Sequence, residues 1–119
     1  MSTLNQFGAI LTYAIELEGN IASYYETVGD ADRAKSATKR KSKLERIRRE
    51  NVVEITLEPI DGLDEADYVF NFENTSDEGQ SAIEVTASQF YEDVAPKINV
   101  RQAQRGLERA GKEHRAYLS

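Results

Sequence analysis

The sequence predicts an all-α protein, an antiparallel four-helix bundle with one long crossover. Apolar residues recur three and four apart along four long segments, and only two prolines, Pro59 and Pro96, interrupt the 119 residues. The two halves of the chain also share an internal pattern, which points to two similar helical hairpins.

Helices are expected at about 3–29, 31–57, 77–95 and 98–118. In the first, Phe7, Leu11, Ala14, Leu17, Glu18, Ile21, Tyr25 and Val28 fall on one face, and Gly29-Asp30 supplies a turn. The second carries Ala34, Ala37, Leu44, Ile47 and Ile55 at helical spacing, and Pro59 stops it because proline lacks an N–H and clashes with the preceding turn. The third presents Ile83, Ala87, Phe90 and Val94, and the fourth Val100, Ala103, Leu107, Ala110, His114 and Tyr117. The stretch PIDGLDEADYVFNFENTS mixes turn residues with Leu63, Tyr68, Val69, Phe70 and Phe72. It is long for a link between neighbouring antiparallel helices but suits a crossover along a bundle, docked by its aromatics. The expected organisation is one domain, with a hairpin at 3–57, a crossover at 58–76 and a second hairpin at 77–118.

Leu17-Glu18 and Tyr25-Glu26 reappear as Ile83-Glu84 and Tyr91-Glu92 at an offset of 66, and Leu44-Glu45-Arg46 reappears as Leu107-Glu108-Arg109 at an offset of 63. Glu18 and Glu84 thus occupy matching places inside apolar stripes. A carboxylate among Leu, Ile, Ala and Tyr must be protonated, paired or bound to a cation. Tyr25 and Tyr91, each two turns further along the same face, are within reach as hydroxyl donors.

Composition narrows the chemistry. With 39% hydrophobic and 30% charged residues the chain is too polar for a membrane protein and too apolar for a disordered one. No apolar run reaches the ~18–20 residues of a span, and MSTLNQFG lacks a basic region followed by an apolar one, so a cytoplasmic protein without a membrane partner is expected. Cysteine is absent, which excludes disulfides, thiolate metal sites and a cysteine nucleophile, and the single histidine excludes a multi-imidazole site within one chain. No phosphate-cradling glycine loop or serine-nucleophile elbow occurs.

AIELEGNIASYYE and AIEVTASQFYEDVA resemble the first and third helices of rubrerythrins and other small ferritin-like di-iron carboxylate proteins, and the resemblance covers essentially the whole chain. In that family one glutamate from each of two helices and a Glu-x-x-His motif from each of the other two hold two irons. The resemblance implies Glu18 and Glu84 at the single-glutamate positions and His114, in GKEHRAYL, at the histidine of the fourth helix. The glutamate expected three residues earlier is Gly111, and the offset of 63 sets Arg48 opposite Gly111 and Asn51 opposite His114. Three of six ligands remain, so the di-iron site is expected to be degenerate, without a cofactor. The guanidinium of Arg48 would stand in for the metals and pair with Glu18, Glu84 or both, helped by Asn51, His114, Tyr25 and Tyr91. Arg48→Ala should then destabilise the fold.

The resulting reading is a non-catalytic ferritin-like domain, associating as a homodimer. One alternative is an iron-binding oxidoreductase or iron-handling protein of the peroxidase kind, with a mononuclear site from Glu18, Glu84 and His114. Lacking the cysteines of a rubredoxin-like centre, it would need an external redox partner. A second alternative is an adaptor for nucleic acid or protein. Residues 33–49 hold nine of the 15 basic side chains against one acid, whereas residues 54–78 hold nine acids and no base. The net charge of −6 opposes nucleic-acid binding, and the basic residues scatter around the helix, so a solvated surface or contact with an acidic crossover is expected.

Overall fold

The structure is a computed structural model and describes Leu4, residues 6–51, residue 60 and residues 62–118. Four helices form, α1 (Phe7–Val28), α2 (Ala31–Glu50), α3 (Asp77–Val94) and α4 (Arg101–Ala116), with no strand among the described residues. The arrangement is all-α.

Each boundary has a local cause. Gln6 is extended (φ −146°, ψ 153°), so α1 starts at Phe7 instead of at position 3. At its other end Gly29 takes the left-handed conformation (φ 94°) and its N–H returns to the carbonyls of Tyr25 and Glu26, a turn that a side chain would strain. Asp30 caps α2 by accepting from the Arg33 N–H. The described α2 ends at Glu50, where the Asn51 side chain donates to the Ile47 carbonyl. The expected continuation with Ile55, and Pro59 after it, lies outside the described residues. Ser76 caps α3 by accepting from Gly79 N–H, and Asp77 and Glu78 complement the positive end of the helix. Pro96 sits in a short 3-10 turn, and Ile98 is extended (φ −97°, ψ 123°), so α4 begins at Arg101 and not at 98.

Most residues of the predicted stripes enter the core, with Val28 and Val100 half-buried against it. Leu11, Ala14, Ile21 and Tyr25 of α1 are fully buried, as are Ala37 of α2, Ala87, Phe90 and Val94 of α3, and Ala103 and Leu107 of α4. Each large apolar side chain so placed contributes about 1.5–3 kcal/mol over its exposed state. α1 packs on α2, α3 on α4, and α2 on α4. Across the last pair, Ile47 approaches Gly106 so closely that a Cβ there would stand 2.4 Å from the Ile47 Cδ1, and Asn51 donates to Gln102.

Between α2 and α3, residues 68–74 dock on α1 and α3 through aromatics. Tyr68 donates to Asp93 at 2.6 Å and sets its ring edge-on to Phe90, while Tyr24 donates to the Asn74 carbonyl and meets Phe72 edge-on. Val69, between them, instead turns outward and is 77% exposed.

Candidate functional site

Glu18 stands on the inner face of α1 beside Leu17 and Ile21, and Glu84 on the inner face of α3 beside Ile83 and Ala87; both are buried. An apolar face cannot hold an ionised carboxylate without compensation. α4 supplies His114, fully buried, whose Nδ1 lies 2.6 Å from Glu84 Oε2 and whose Nε2 lies 2.8 Å from Glu18 Oε2. α2 supplies Arg40, which donates from Nε to Glu18 Oε1 at 2.9 Å. The tyrosines complete the set crosswise: Tyr25 of α1 donates to Glu84 Oε1 at 2.6 Å, and Tyr91 of α3 to Glu18 Oε2 at 2.5 Å. Each half of the repeat thus serves the carboxylate of the other.

Ionised carboxylates only accept hydrogen bonds, so a ring bonded to two of them through both nitrogens carries two N–H protons. Burial alone would depress the His114 pKa, but its hydrogen bonds and charge contacts with Glu18 and Glu84 push it up to about 9. Burial would raise the Glu18 pKa, yet His114, Arg40 and Tyr91 outweigh it and hold the carboxyl below its ordinary range. Arg40, which burial would weaken, is raised by Glu18. Burial first, and then the acid each one donates to, raises the pKa of Tyr25 and Tyr91, so both remain neutral donors. One imidazolium and one guanidinium therefore balance two carboxylates in the interior.

A second ring of contacts positions these groups. Arg33 donates from Nη1 to the Tyr25 hydroxyl at 3.2 Å and lies over the Tyr117 ring, 4.5 Å from its centroid. Arg40 reaches past Glu18 to Glu113 Oε1 at 3.2 Å, while its Nη2 is buried without a hydrogen-bond partner among the described residues. The His114 ring stacks on Tyr91, 9° from parallel.

The expected residues thus separate. Glu18, Glu84, His114, Tyr25 and Tyr91 come together. Arg48 does not join them: it is exposed on α2, and the guanidinium beside Glu18 belongs to Arg40. Asn51 caps α2 and bonds Ile47 and Gln102, away from the carboxylates. Gly111 is buried where α4 crosses Tyr91 so closely that a Cβ would meet the Tyr91 Cβ at 2.9 Å. The offset of 63 misplaces these positions because the connections differ: α1 and α2 are joined by Gly29 and Asp30 alone, α3 and α4 by residues 95–100. Arg40 was visible in the sequence as the occupant of the gap in α2's own stripe, between Ala37 and Leu44. Arg33 carries no comparable signal.

Arg40→Ala should therefore lower stability by about 2–3 kcal/mol, the worth of hydrogen bonds to a charged group, with Glu18 still held by His114 and Tyr91. Arg48→Ala should change it by no more than about 0.5 kcal/mol, as for other exposed positions. Chemical denaturation of the two variants checks the assignment, and equal losses would refute it.

The residues do not fit the metals that the ferritin-like resemblance implies. Every oxygen of Glu18 and Glu84 already accepts a hydrogen bond, both nitrogens of His114 are engaged, and Arg40 sets a fixed positive charge against the carboxylates. No group of three or more His, Asp or Glu among the described residues is arranged to hold a metal ion. Nor is any helix among them long and apolar enough to cross a membrane. Compared with protein-family profiles, curated proteins and solved structures, the chain finds no match.

Proposed function

We propose that this chain is a ferritin-like, rubrerythrin-related bundle in which an arginine–glutamate–histidine cluster stands in the place of a di-iron centre, and that it is non-catalytic and acts through its surface. The observation that carries this reading is His114 bridging Glu18 and Glu84 through both ring nitrogens, with Arg40 on Glu18. Two organic cations supply the charge that divalent metals would otherwise supply. The order of contacts supports the topology. Glu18 and Tyr25 meet Tyr91 and Glu84, and Arg40 and Asn51 meet Glu113 and Gln102, in opposite residue order each time, as antiparallel helix pairs require. With both hairpins antiparallel as well, α2 and α3 run parallel and the crossover must span the bundle.

Elemental analysis of protein purified without chelator or metal resin, before and after anaerobic ferrous loading, tests the reading, with Glu18→Ala/Glu84→Ala as the control. The expected result is no stoichiometric metal in either protein. Iron bound by the parent chain and lost in the double variant would overturn the proposal and restore an iron-dependent oxidoreductase.

A further inference from the structure

The surface carries a charge asymmetry that the interior cluster does not explain. Between α2 and α4 runs a groove of about 610 Å³ with an apolar floor of Leu44, Ile47 and Ala110. Its lips are cationic. Lys43 and Arg46 line one side, and Arg101, Arg105 and Arg109, four residues apart and hence on one helical face, line the other. Arg46 pairs with Glu50, but Lys43, Arg101, Arg105 and Arg109 form no ion pair among the described residues. This occurs in a chain of net charge −6.

The compensating acids gather on the crossover and the start of α3. Asp67, Glu73, Asp77 and Glu78 are exposed and likewise form no ion pair among the described residues. In their midst is Val69, whose 77% exposure is the largest of any bulky apolar side chain described. Tyr68 and Phe72 tie this segment to α3 and α1, whereas the groove belongs to α2 and α4. The molecule thus presents a basic groove with an apolar floor on one face and an acidic ridge with an apolar tip on another.

We propose that the groove between α2 and α4 receives the acidic crossover of a second copy of this chain, with Val69 on the apolar floor and the flanking acids between the cationic lips. Charge complementarity selects the partner and orients it. A nucleic-acid backbone, which would also satisfy the lips, is opposed by the net charge of −6. Because groove and ridge lie on different faces, the contact is heterologous and repeats from copy to copy. The inference is independent of whether the interior binds metal.

Sedimentation velocity over a range of concentrations at low and high salt tests it. The expected result is self-association that weakens with salt, and more than tenfold weaker association for Arg105→Glu/Arg109→Glu or for Asp67→Lys/Glu73→Lys alone, since like charges then face each other. Mixed in equal amounts, the two variants should associate again, because the intact acidic ridge of one fits the intact cationic groove of the other. Val69→Ser, a fully surface change, should also weaken association of the parent chain. A parent chain that stays monomeric, variants that associate as the parent does, or a mixture that fails to pair would each overturn the proposal. So would tight binding of a labelled DNA duplex by a monomeric parent chain, lost in Arg105→Glu/Arg109→Glu, which would give the groove to nucleic acid.

Discussion

His114→Ala should lower the unfolding free energy by about 3–5 kcal/mol, the usual consequence of removing one partner from a buried ion cluster. The reason is the distribution of charge. Glu18 would keep Arg40 and Tyr91, but Glu84 would retain only the neutral Tyr25 hydroxyl while still buried beside the first carboxylate. For a chain of this size the loss corresponds to a fall of about 12–20 °C in Tm. Substituting the cluster together (Glu18→Leu, Glu84→Leu, His114→Leu and Arg40→Met, with Tyr25→Phe and Tyr91→Phe so that no hydroxyl is left buried without its acceptor) removes charge and partner at once, and should restore most of the stability. If the single and the combined variants were equally destabilised, lost packing and not stranded charge would explain the effect. A His114→Ala protein as stable as its parent would show that the carboxylates do not depend on the imidazolium.

The cluster was partly legible in the sequence, for an identifiable reason. Glu18 and Glu84 interrupt stripes of Leu, Ile and Ala, and a charged residue inside an apolar period announces burial. His114 shares a face with Leu107 and Ala110 and is placed by the same rule. Arg40 obeys it too, yet the repeat points two turns further, to Arg48. A repeat aligns residue types and is blind to the lengths of connections, whereas pairing across an antiparallel hairpin is reflected about its turn. About the short turn at Gly29-Asp30, Glu18 reflects onto the neighbourhood of Arg40 and far from Arg48.

The same distinction separates what could and could not be read on the surface. The basic run at 33–49 scatters around α2 when α2 is taken alone, as the spacing says. The groove exists only because α4 lies alongside, bringing Arg101, Arg105 and Arg109 opposite Lys43 and Arg46. No one-dimensional pattern contains that pairing. Between α2 and α3, Tyr68 and Phe72 dock as aromatics beside turn residues should, while Val69, next to a Tyr68 whose hydroxyl reaches Asp93 of α3, turns outward.

Stability should also decline on the alkaline side, through His114. Its pKa is raised from about 6.5 to about 9, so the imidazolium's contribution is present in full below about pH 6.5 and is lost as pH rises through about 9. At about 1.4 kcal/mol per unit, the loss is on the order of 3 kcal/mol. Glu18 acts in the opposite sense: its pKa is lowered, so its contribution is present above the ordinary carboxylate value and is lost as pH falls through the lowered one. The groups facing the ring are Glu18 of α1, Glu84 and Tyr91 of α3, and Tyr117 at the end of α4, with Arg40 of α2 behind Glu18. Tyr91 and Arg40 both have raised pKa values and keep their charge state across the window, which leaves the alkaline limb to His114. Urea denaturation at about pH 6 and about pH 10 measures it, with His114→Gln as the reference that lacks the titrating ring. A limb of equal size in that variant would assign the alkaline loss to other groups. A limb present in the parent and absent from the variant would establish that a proton on a fully buried imidazole holds the two halves of the chain together, since its two N–H groups bind carboxylates from α1 and α3.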